Sequence, residues 1–110
     1  MPDEQDLTRE TLQAFAATFG VEPDEALAET DRLTLDDVRR FLIPRITHLL
    51  DRNPSLLMHI LYRVDVDERG VKQVFAESHP EVIPADLADL LIERQLQKLR
   101  LRRDYQNRDK

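Results

Sequence analysis

The chain has 110 residues, of which 41% are hydrophobic and 35% charged, with a formal net charge of -6 and no cysteine. This composition fits one folded domain and excludes a disordered chain, a disulfide framework and cysteine-ligated metal sites. No apolar run approaches the roughly 20 residues of a membrane span, and the acidic N-terminus does not resemble a secretion signal. We therefore expect a single cytoplasmic domain over residues 1–110, with no metal site and no cofactor.

Helical spacing of apolar residues recurs along the chain, and alternation typical of strands is absent. The first helix is predicted from about Thr8 to Phe19. Leu7 and Leu12 are spaced as a hydrophobic staple around Thr8, which is the predicted N-cap. Gly20 is predicted to end the helix as a left-handed C-cap.

A short second helix is predicted to start with Pro23 in its first turn. The third helix is predicted from Thr34 to about Arg52, with Asp37 completing a capping box with Thr34. Its apolar stripe keeps one phase across Pro44, which favours a single kinked helix. The residues of that stripe are Leu35, Val38, Leu42, Ile46 and Leu49.

Asn53-Pro54 is predicted to cap a fourth helix that extends to about Val64. Apolar residues occupy nearly all sides of this segment, so we expect it at the centre of the bundle. A fifth helix is predicted from Asp67 to Glu77. Its inward residues are expected to be Val71, Val74 and Phe75.

The last helix is predicted from Pro84 to about Asp104 and has two apolar sides. One side contains Leu87, Leu90, Leu91 and Leu101, and the other contains Ala85, Ala88, Ile92, Leu96 and Leu99. The whole pattern predicts an all-α fold, a compact and mainly orthogonal bundle of about six helices with a long C-terminal helix. Residues 1–6 and 105–110 are expected to be frayed.

The second apolar side continues to where few neighbours remain, which suggests surface that the chain itself does not cover. We therefore expect a non-enzymatic interaction module, a homodimer or a partner of another helical protein, with no membrane contact. Its predicted interface consists of Ile92, Leu96 and Leu99 with a basic rim of Arg94, Lys98, Arg100 and Arg103. Residues 93–110 hold seven basic residues against three acidic, whereas residues 1–40 hold four against eleven.

Two alternative functions are considered beside the interaction module. Ser55, His59 and Arg63 have helical spacing of four and form a polar edge that could line a pocket of a ligand-binding protein or enzyme. The basic C-terminal end could contact nucleic acid, but the net acidic charge argues against that partner. The segment 65–70 matches three positions of a calcium loop, but Arg69 occupies a ligand position, so Asp65 and Asp67 are better explained as helix caps.

Overall fold

A computed structural model describes residues 4–22 and 32–108, and all regular elements within these ranges are helical. The α-helices are α1 (Glu4–Phe19), α2 (Leu35–Arg52), α3 (Pro54–Val64), α4 (Glu68–Glu77) and α5 (Ile83–Arg108), with a short 3₁₀ helix at Pro80–Val82. The predicted all-α class is confirmed. The predicted short helix at Pro23 lies outside the described residues, and the count of six and the orthogonal arrangement stay predictions.

Helix α1 begins at Glu4, earlier than predicted, and Thr8 lies inside it as a buried residue. The prediction of Thr8 as N-cap is therefore wrong, because the helix continues through it for another turn. The predicted end is confirmed: Gly20 has a φ of 68°, and the N–H of Val21 donates to the Ala16 carbonyl at 2.9 Å. This pairing satisfies a carbonyl that would otherwise lack a partner at the helix end.

The predicted capping box of α2 is present. The Asp37 N–H donates to Thr34 Oγ1 at 3.1 Å, and the Thr34 N–H donates to Asp37 Oδ2 at 2.9 Å. The helix passes through Pro44 without ending, as its unbroken apolar phase predicts. Asn53 then ends α2 and caps α3, accepting the Leu56 N–H on its side-chain oxygen at 3.2 Å.

Helix α5, rather than α3, is the central element, because it packs against all four other α-helices. Its 26 residues extend for about 39 Å at 1.5 Å per residue. Neither α5 nor any other helix in the described ranges is both long and apolar enough to cross a membrane. Residues 4–6 and 105–108, which we predicted to be frayed, are helical.

The prediction that α3 is buried on nearly every side is wrong. Its core-facing residues are Leu57, Ile60, Leu61 and Val64. Its opposite side faces outward and includes Leu56, Met58 and Tyr62, with Tyr62 82% exposed. On α4, Val71 is buried and Val74 packs against the core, but Phe75 is exposed and not inward as predicted. Apolar character alone did not identify which sides are covered.

Candidate functional site

The three apolar residues of the predicted interface are covered by their own chain. Ile92, Leu96 and Leu99 are each 7% exposed and belong to the hydrophobic core. The expectation that this side of the last helix is uncovered is wrong, because α1 and α2 both pack against α5. Ile92 and Leu96 also line a surface depression of about 380 Å³ beside the exposed Leu35, so a small part of each side chain is accessible to solvent.

The uncovered apolar surface lies at the end of the same helix. We use the term helix tip for residues 100–106 of α5, where Arg103 alone is partly buried. Leu101 is 58% exposed and Tyr105 is 72% exposed, and the two lie one helical turn apart. Leu101 was grouped by its spacing with Leu87 and Leu91, which are fully buried. The helix therefore extends beyond its cover at Leu101.

Some residues of the predicted basic rim contact acidic residues of the same chain, and others are exposed. Arg94 is bound within the chain, donating to the Asp65 carbonyl at 3.0 Å and to the Asp65 carboxylate at 2.9 Å. Arg103 approaches Glu10 of α1 at 4.0 Å, which ties the basic end to the acidic N-terminal helix. Arg100 and Arg102 are exposed on the helix tip. The rim is thus partly structural and partly available to a partner.

The residues of the polar edge, Ser55, His59 and Arg63, are all exposed on the outward side of α3. Arg63 lines a depression of about 220 Å³, but its other lining residues come mainly from α1 and α5 and include neither Ser55 nor His59. Lys98, a predicted rim residue, also lines this depression. The structure therefore does not bring the polar edge together in this depression.

A larger groove lies between α3 and α4, which we call the α3–α4 groove. It encloses about 620 Å³ and is lined by Met58, Leu61, Tyr62, Asp65, Val66, Asp67, Glu68, Val71 and Lys72. Leu61, Val66 and Val71 are buried at its base, whereas Met58 and Tyr62 are exposed. Sequence reasoning missed this groove because it placed α3 inside the bundle; the signal available was the Met58 and Tyr62 spacing of four.

The turn at Asp65–Asp67 fixes one end of the α3–α4 groove. Asp65 adopts a left-handed conformation with φ of 68°, and the Val66 N–H donates to the Leu61 carbonyl at 3.1 Å. Asp67 caps α4 by accepting the Arg69 N–H at 3.0 Å. Both capping roles agree with the sequence prediction. Because Arg94 binds Asp65 through two hydrogen bonds, the turn is held against α5.

On the other side of this turn lies a second groove of about 550 Å³, lined by Val66, Asp67, Gly70, Leu90, Glu93, Arg94, Gln97, Arg100, Leu101 and Asp104. Gly70 on α4 lies beside Leu90 of α5, and a Cβ built on it would meet Leu90 Cδ2 at 3.4 Å, an ordinary contact distance. Leu101 also lines this groove, but 58% of the residue remains exposed to solvent.

Asp37 and Arg39, which line neither groove, have shifted pKa values. The backbone N–H of Thr34 donates to Asp37 and lowers the pKa of that carboxyl group. Hydrogen bonding from Arg39 to Asp89 at 2.8 Å raises the pKa of the Arg39 guanidinium. In both cases the charged form is stabilised by a nearby partner, as in a helix cap or a surface ion pair. These shifts indicate structural roles.

Within residues 4–22 and 32–108, no cluster of three or more histidine and acidic side chains has the geometry to hold a metal ion. The surfaces that the described residues present as candidate sites are the α3–α4 groove, the groove beside Gly70 and the helix tip.

In the comparisons with known proteins, no family model, no curated protein and no solved structure matched this chain.

Proposed function

We propose that this chain is a non-enzymatic protein–protein interaction module that self-associates through the tip of its C-terminal helix. The observation that carries the proposal is the exposure of Leu101 and Tyr105, at 58% and 72%, on adjacent turns of α5. Exposed apolar side chains that lie together are typical of contact surfaces, and tyrosine is enriched among residues that contribute most to binding. The contact residues replace the buried Ile92, Leu96 and Leu99 of the sequence prediction.

The charge distribution supports association between copies. The helix tip holds three basic residues and one acidic, whereas the whole chain has a net charge of -6. The tip of one copy is therefore attracted to the acidic surface of another, and attraction of this kind raises the rate of encounter. It also predicts that the complex weakens as salt concentration rises.

The small size of the tip sets the expected affinity. The seven residues of the tip are fewer than the roughly 20 to 30 residues per side of a standard interface, so the contact falls in the class of weak interfaces that bury less than about 1,200 Å². We therefore expect a weak and reversible dimer, formed at micromolar concentration or above. A weak dimer of this kind forms as the protein concentration rises and dissociates as it falls.

The test is the mass of the protein by light scattering across a concentration series, starting from the monomer mass of 12.9 kDa. We expect the mass to rise toward twice that value, and Leu101→Asp or Tyr105→Asp to return it to the monomer. Val82→Asp is the matched control, because Val82 is exposed and directly precedes the first residue of α5, at the opposite end from the helix tip. A parent chain that stays monomeric throughout, or a dimer indifferent to Leu101→Asp, would contradict the proposal.

A further inference from the structure

We propose that the α3–α4 groove of a second copy is the surface that receives the helix tip. This inference rests on the proposed self-association and adds the identity of the receiving surface. Among the described residues, the groove and the tip carry the two most exposed large apolar side chains, Tyr62 at 82% and Tyr105 at 72%, and each copy has both surfaces. Two copies that exchange tips form both contacts in one closed dimer.

The apolar parts of the two surfaces match in spacing. Met58 and Tyr62 lie four residues apart on α3, and Leu101 and Tyr105 lie four residues apart on α5. Residues with this spacing have Cβ atoms about 5 to 6 Å apart on one helix face. A helix laid along the groove therefore places its two side chains beside two others of the same pitch, as in other helix-in-groove complexes.

The groove has room for these side chains. Its volume is about 620 Å³, and its base is apolar because Leu61, Val66 and Val71 lie there. Tyr62 is exposed over most of its surface and gains the most burial from a docked helix. Burial of aromatic side chains at the centre of a small interface contributes a large part of its binding energy.

The charges along the rim are complementary to the tip. Asp67 and Glu68 are exposed, and within the described part of the chain neither forms an ion pair. Asp65 is already neutralised by Arg94, and Lys72 is the basic residue of the groove lining. The rim thus presents two carboxylates to a tip on which Arg102 is exposed and unpaired among the described residues. A basic tip is therefore favoured over an acidic or neutral helix.

The tip of the same copy is kept out of its own groove. The turn at Asp65–Asp67 lies between α5 and the α3–α4 groove, since Val66 and Asp67 line the grooves on both of its sides. Arg94 fastens this turn to α5, and α5 continues as one helix from Ile83 to Arg108. Reaching over the turn would require α5 to break, so a second copy is the occupant that the geometry permits.

The absence of cysteine makes a disulfide test specific, because introduced thiols are the only ones in the chain. We would prepare Met58→Cys and Tyr105→Cys as separate variants, mix them under mild oxidation and identify the linked peptides by mass spectrometry. We expect a 58–105 link between copies. The matched control replaces Met58→Cys by Val82→Cys, because Val82 is also exposed but does not line the groove. Circular dichroism of each variant checks that it is folded.

The outcomes separate this inference from the proposal on which it rests. A 58–105 link that forms several times faster than the 82–105 link supports the groove as the receiving surface. A dimer that Leu101→Asp abolishes but that gives no preferential 58–105 link, or that gives mainly 105–105 links, overturns the groove and leaves self-association intact. A chain that is monomeric at all concentrations overturns both.

A charge exchange provides a second test. Glu68→Arg removes the attraction at both symmetry-related contacts of the dimer, and at about twofold to fivefold for each solvent-exposed ion pair it should weaken the dimer by about 4-fold to 25-fold. Combining it with Arg102→Glu should restore most of the loss, because the pair is then reversed rather than removed. If the double variant weakens the dimer by the product of the two single-variant factors, Glu68 and Arg102 do not meet across the interface.

Discussion

Two leucines on α5 are expected to respond very differently to truncation to alanine. Leu96 is buried, and Leu96→Ala removes three carbon groups, each worth about 0.8 kcal/mol when buried, or about 2.4 kcal/mol together. Leu96 also borders two surface depressions, so the space left behind is open to rearrangement and the added cavity cost is small. We expect the free energy of unfolding to fall by about 2 to 3 kcal/mol.

Leu101→Ala provides the comparison on the same helix. Because Leu101 is more than half exposed, we expect its truncation to change the free energy of unfolding by no more than about 0.5 kcal/mol. The assay is urea and thermal unfolding followed by circular dichroism, in protein dilute enough to be monomeric. For a chain of this size Leu96→Ala should lower the melting temperature by about 10 °C. Equal losses for the two variants would refute the assignment of Leu96 to the core and Leu101 to the surface.

Two further predictions concern local structure. Asp37→Asn should cost about 0.3 to 1 kcal/mol at neutral pH by weakening the capping box with Thr34. Because the pKa of Asp37 is lowered on folding, its contribution is complete above the unfolded value of about 3.9 and is lost as the pH falls through the lower folded value. The gap in stability between parent and variant should therefore close as the pH falls below the unfolded value, and a constant gap in acid unfolding curves would contradict this. Gly70→Ala should raise the free energy of unfolding by about 0.5 to 1 kcal/mol, since Gly70 lies within α4 and the added Cβ meets Leu90 at 3.4 Å, an ordinary contact distance. A loss of stability in thermal unfolding would show that the space beside Leu90 does not accommodate the methyl group.

The local pattern of the sequence was sufficient to locate most helix ends. Thr34, Asn53 and Asp67 cap helices as predicted, and Gly20 ends α1 in the left-handed conformation. These features depend on backbone groups within a few residues, which is why they can be recognised without the rest of the fold. Thr8 is the exception, because a threonine between Leu7 and Leu12 looks the same inside a helix as at its start.

Tertiary structure alone decided which apolar residues are covered. Periodicity shows which residues share a face, but a face is buried only if another element packs against it. Helix α3 is apolar on nearly every side and is covered on one, while α5 is covered on both apolar sides at Leu87–Leu99 and uncovered at Leu101. The α3–α4 groove exists because the left-handed Asp65, held by an arginine 29 residues away, sets how α4 leaves α3. A long-range contact of this kind depends on the position of the whole of α5, which short-range spacing does not encode.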